Sequence, residues 1–118
     1  MSARHKTILS VSPDLQLSNS RHEALSRGGF EVISVHSEVA AQYEIQFGRC
    51  GVLILCHKLS GATRRSLARD FDTRCQEPFI VAILAHPAGP YPPQTHVCVL
   101  HSEGNGPLLK VLQENLAA

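Results

Sequence analysis

Short apolar runs alternate with longer amphipathic stretches along this chain, with no internal repeat and no charge block between them. Thr7 to Val11, Phe30 to Val35, Gly51 to Leu55, Phe79 to Leu84 and Val97 to Leu100 are short, rich in β-branched residues and bounded by turn formers, so they predict five strands. The third and fourth runs are apolar at both parities, as a strand covered on both faces requires. The first, second and fifth are more mixed and suit flanking positions.

The stretches between the strands carry helical punctuation. Ser12-Pro13-Asp14 opens the first, with Ser12 as cap, Pro13 at the first helical position and Asp14 complementing the helix dipole; Gly28-Gly29 ends it. Ser37-Glu38 opens the second, where Ala40, Tyr43 and Phe47 share a face before Gly48. Between Gly61 and Gln76, Leu67, Ala68, Phe71 and Cys75 form an apolar stripe. Arg64, Arg65, Arg69 and Arg74 of that stretch are interleaved with Asp70 and Asp72, which reads as a solvated face rather than a phosphate-binding one. Asn105-Gly106-Pro107 opens the last helix, whose Leu108, Leu109, Leu112 and Leu116 dock on the sheet. His86 to Pro93 holds four prolines in eight residues and forms a loop. The order β-α-β-α-β-α-β-loop-β-α calls for a parallel sheet with right-handed crossovers, covered on both faces: an α/β, three-layer fold.

Composition narrows the function classes. The 118 residues fit a single domain spanning 1–118, and 43% hydrophobic against 18% charged residues supply a core. Eleven basic against ten acidic residues leave a formal charge of +1, which provides no field for nucleic acid or an anionic membrane, so neither is an expected partner. The longest uncharged apolar runs, Cys50 to Cys56 and Phe79 to Ala85, have seven residues, against the roughly 18 that a membrane-spanning helix needs. Met1 to Lys6 leads into too few apolar residues before Ser12-Pro13 for a secretory leader, and a cytoplasmic location follows as the expectation. Cys50, Cys56, Cys75 and Cys98 contain no C-x-x-C pair and read as four reduced core thiols.

Several local stretches carry a family resemblance. Lys6 to Val11 looks like the first strand, and Ala24-Leu25-Ser26-Arg27-Gly28-Gly29-Phe30-Glu31-Val32 like the end of the first helix, of the receiver domain of bacterial two-component response regulators. Gly51 to Gly61 is similar to that family's third strand with its following loop, and Pro78 to Ile83 to its fourth strand. The resemblance runs from about Lys6 to Leu116 and implies a flavodoxin-like fold with strand order 2-1-3-4-5, here with the fourth helix replaced by the proline-rich loop.

The same resemblance implies where chemistry would sit. Receivers use an acidic pair after strand 1, an aspartate at the end of strand 3 that accepts phosphoryl, a Thr or Ser after strand 4 and a Lys after strand 5. At approximately these positions stand Pro13 and Asp14, then Cys56, Leu84 and His101. Phosphoryl transfer rests on positioning and metal-assisted charge stabilisation, so this altered pocket implies no aspartyl phosphorylation, no catalytic residues and no cofactor. What remains is a stand-alone receiver-like module, not an enzyme, that meets protein partners in signalling, with homodimerisation open. Receivers use the face of helix 4, strand 5 and helix 5 for such contacts. Without the fourth helix, Tyr91 in the loop offers an alternative.

Two other classes compete. The same sheet edge carries His36, Cys56, His57, His86 and His101; Cys56 and His101 occupy positions whose side chains face one another in receivers, and His86 or His57 could add a third ligand for Zn²⁺ or copper. Against this, Cys56 reads equally as an apolar filler, and no short-spaced ligand motif is present. A catalytic Cys-His dyad lacks an orienting third group. A flavin-phosphate enzyme would need a glycine-rich loop after strand 1, where Ser12-Pro13-Asp14 stands instead.

Overall fold

A computed structural model describes residues 7–116; the leader reading of Met1 to Lys6 and the Lys6 end of the first-strand resemblance lie outside the described residues. The strands are β1 (Ile8–Val11), β2 (Val32–Val35), β3 (Val52–Leu55), β4 (Phe79–Leu84) and β5 (Val97–Leu100). They form one parallel sheet in the order β2-β1-β3-β4-β5. The helices are α1 (Leu15–Arg27), α2 (Glu38–Phe47), α3 (Gly61–Arg74) and α4 (Gly106–Leu116); the connection from β4 to β5 contains none.

Alternation along the strands divides the core in two. Leu9, Leu53, Leu55 and Ile80 pack toward α2 and α3 through Ala41, Ile45, Leu67 and Phe71. Ile8, Val52, Ile54 and Val81 pack toward the other face through Leu25 of α1 and Leu108, Leu112 and Leu116 of α4. Each fully buried aliphatic side chain contributes about 1.5–3 kcal/mol from removal of apolar surface, so the sheet is held from both sides. This two-sided covering explains why β3 and β4 are apolar at every position. No helix among the described residues is long and apolar enough to cross a membrane.

Four details differ from the sequence expectations. β1 is not a flanking strand: it lies between β2 and β3 with all four residues buried, Ser10 included. The cap of α1 is Asp14, in extended conformation, rather than Ser12, and Pro13 precedes the helix. In α2 the buried residues are Ala41 and Ile45, while Tyr43 and Phe47 stand in solvent at 66% and 63% exposure. Of the four thiols, Cys50 and Cys56 are buried, Cys75 is half-buried at the end of α3, and Cys98 is exposed on β5. Val97 and Val99 of β5 face the α1 and α4 side, so Cys98 points to the opposite face, where the β4–β5 connection supplies no helix to cover it.

Candidate functional site at the C-terminal edge of the sheet

β1 and β3 end side by side, in register from Ile8 with Val52 to Val11 with Leu55. The ladder continues one residue further, because Cys56 N–H donates to the Val11 carbonyl at 3.1 Å. This fixes Cys56 immediately beyond β3 with no exposed surface. Its sulfur takes the Lys58 backbone N–H at 3.5 Å and lies 3.8 Å from His57 Nδ1. Leu59 N–H donates to the Cys56 carbonyl at 3.2 Å, closing a turn that throws His57 and Lys58 outward.

Lys58 reaches back across the edge. Its Nζ donates to Asp14 Oδ2 at 2.8 Å, while Asp14 Oδ1 accepts the Leu17 backbone N–H at 3.0 Å and caps α1. Ser12, the expected cap, is displaced from that role: its hydroxyl accepts the Asp14 backbone N–H at 3.1 Å. The hydrogen bond from Lys58, reinforced by the one from Leu17, pushes the Asp14 carboxyl down to about 2. The Lys58 ammonium is raised by the same bond. Asp14 is therefore a carboxylate at neutral pH with both oxygens already engaged.

His101 follows β5 at the start of a short 3₁₀ turn, and its ring stacks on that of His57 with centroids 4.1 Å apart and planes inclined by 26°. Burial, then the neighbouring His101, then Arg21 lower the His57 pKa. Leu84, the last residue of β4, is buried and pairs with Leu100 in register, so it brings no hydroxyl to the edge.

The metal-ligand expectation is not favoured by this geometry. Cys56, His57 and His101 form a chain of contacts rather than a facing Cys-His pair. His36 Nε2 is 3.2 Å from Ser18 Oγ, and His86 lies exposed in the loop after β4. Among the described residues, no group of three or more His, Cys, Asp or Glu is placed to hold a metal ion. The edge can offer hydrogen bonds and a small positive field. It lacks an accessible carboxylate nucleophile at the end of β3.

Two residues here were not legible as site residues. Lys58 meets Asp14 across 44 positions of sequence, a contact that only the parallel pairing of β1 with β3 creates. Arg21 belongs to α1 and is only 3% exposed. The spacing Leu17, Arg21, Leu25 is a usable signal, since an i, i+4, i+8 row ending in a core leucine places the arginine on the inward face.

No protein-family model and no curated protein matches this sequence. Solved structures do match in shape. The response regulator TrrA of Thermotoga maritima, solved with Mg²⁺-BeF, superimposes with a TM-score of 0.79 at 17% identity, over 92% of this chain and 97% of that one. A CheY-like receiver domain protein of Methanospirillum hungatei gives 0.78 at 18% identity, over 93% of each chain. The Thermotoga maritima structure of the histidine kinase ThkA with TrrA gives 0.78 at 20% identity, over 96% of this chain and 99% of that one. The likeness is one of fold: this chain has the five-stranded flavodoxin-like architecture of CheY-like response-regulator receiver domains.

Proposed function

We propose that this chain is a single receiver-like signalling module that is not switched by aspartyl phosphorylation and that acts through protein contacts rather than as an enzyme. The observation that carries the reading is Cys56: a fully buried thiol stands at the end of β3, where receivers place their phosphoacceptor. The supporting chemistry is the state of Asp14. Asp14 already has one oxygen capping a helix and the other paired with the Lys58 ammonium, so a Mg²⁺ ion would compete with that ammonium for it, and Pro13 beside it supplies no second acid. Without a metal to neutralise the transferring group, the barrier to phosphoryl transfer is not lowered.

The partner class we propose is a protein of a two-component or phosphorelay system, acting in the cytoplasm of a bacterium. The likeness to the regulator in the ThkA complex supports it, since that regulator is held by a histidine kinase. The test is exposure of the purified chain to a small-molecule phosphodonor with Mg²⁺, read by intact mass. The expected result is no stoichiometric adduct of about 80 Da, the mass of one phosphoryl group. Such an adduct on a residue of this pocket overturns the proposal.

A further inference from the structure

Behind the His57–His101 stack, a cavity of about 130 Å³ opens between α1, the end of β5 and the N-terminal turn of α4. Its walls mix apolar and polar groups: Leu17 and Leu108 with Ser20, Arg21, His101 and Asn105. Arg21 is the unusual member. It is 97% removed from solvent, and its Nη1 is buried with no hydrogen-bond partner. None of the ion pairs Arg27 with Glu23, Arg49 with Glu44 and Lys58 with Asp14 involves Arg21, and among the described residues no carboxylate pairs with it. A guanidinium cannot shed its proton, and a buried positive charge without a counter-ion is costly. An anion in the cavity that Arg21 lines would offset that cost.

The other walls favour an anion as well. α4 is eleven residues long, and Leu108 of its first turn lines the cavity, so the positive end of the helix dipole borders the same space. Asn105, just before α4, donates its amide to Ser20 Oγ at 3.0 Å and ties α4 to α1 across the mouth. Glu103, the nearest acid in sequence to Asn105, and Glu23, two residues from Arg21, are both exposed to solvent.

We infer that this cavity is a binding site for a small oxyanion, held by the Arg21 guanidinium and the N-terminal turn of α4, with Leu17 and Leu108 contacting any short apolar body attached to it. The planar fork of arginine matches both phosphate and carboxylate. A volume near the ~150 Å³ of a cavity known to admit benzene limits the ligand to a handful of heavy atoms. The site borders the altered pocket around Cys56, with His101 common to both, and does not rest on how that pocket is read.

The test is an amide and arginine side-chain NMR titration of the full chain with inorganic phosphate and, separately, with acetate and benzoate, each against chloride at matched ionic strength. Saturable shifts at Arg21 Nη and in Asn105 to Leu108, absent with chloride, are the expected result. Phosphate alone acting assigns the site to phosphoryl groups, and benzoate acting more strongly than acetate assigns it to apolar carboxylates. Arg21→Leu is expected to bind at least about tenfold more weakly, a difference of about 1.4 kcal/mol. Should Arg21→Leu fail to fold, the Arg21 Nη response of the unmutated chain decides alone. Shifts no larger than those with chloride, or undiminished binding by a folded Arg21→Leu, overturn the inference and leave the cavity to water.

Discussion

The imidazole of His101, carried by the turn after β5, lies against that of His57, carried by the turn after β3, at a ring separation of 4.1 Å. Two strand ends separated in the sheet by β4 are thereby joined over the buried end of that strand.

The stack has a pH consequence. The His57 pKa is lowered in the folded chain, so at mildly acidic pH the unfolded chain binds more protons than the folded one. His57 thus contributes stability that is present above the ordinary histidine value of about 6.5 and is lost as pH falls through the lowered folded value. An NMR pH titration is expected to show His57 titrating below a free histidine, and His101→Ala to move it part of the way back, since burial is the larger cause. No movement in His101→Ala would separate the two rings electrostatically.

Asp14 behaves in the same sense at lower pH. Its folded value of about 2 lies below that of an unpaired aspartate, so the stability it contributes is present above about 3.9 and disappears as pH falls through about 2. Asp14→Asn keeps an oxygen for the Leu17 N–H but loses the attraction to Lys58. Thermal melts are expected to rank wild type above Asn above Ala at neutral pH, with the acid-dependent part missing from both variants. Equal melting of Asn and Ala variants would remove the capping role.

The outward face of α2 is open to a direct check. Ile45 is 4% exposed and packed in the core, so Ile45→Ala is expected to cost about 2–5 kcal/mol in denaturant unfolding. Tyr43→Ala, at a position in solvent, is expected to stay within about 0.5 kcal/mol of wild type. The reverse ranking would restore the face that the sequence spacing suggested.

That ranking touches what was legible in the sequence. Apolar runs at both parities identified β3 and β4 as covered on both faces, and the Leu108, Leu112, Leu116 row identified the buried face of α4. In α2, both Tyr43-Phe47 and Ala41-Ile45 satisfy an i, i+4 spacing, and only tertiary packing chooses between them. Ser12 and Asp14 are both good caps, and the choice rests on the Ser12 hydroxyl turning to the Asp14 N–H. Cys56 was visible as the residue that follows the third apolar run. Its engagement of His57, and the pairing of Asp14 with Lys58, arise from strand register and have no local signature.

Thiol reactivity should follow burial. Burial pushes the Cys50 thiol up to about 11, and Cys56 has no exposed surface. Cys98 stands in solvent. Alkylation of the native chain at pH 8, followed by peptide mass mapping, is expected to label Cys98 first and to leave Cys50 and Cys56 protected until unfolding. Early labelling of Cys56 would mean that the end of β3 is accessible.

Cys56 at the end of β3 decides whether this fold can take a phosphoryl group. Amide spectra of the chain recorded with Mg²⁺ and beryllofluoride, a mimic of the phosphoryl group, test it most directly. Cys56 to Leu59 and Asp14 are expected to keep their positions when beryllofluoride is added to the Mg²⁺-containing sample. Saturable shifts of those residues, requiring both Mg²⁺ and beryllofluoride, would show a working acceptor pocket and contradict it.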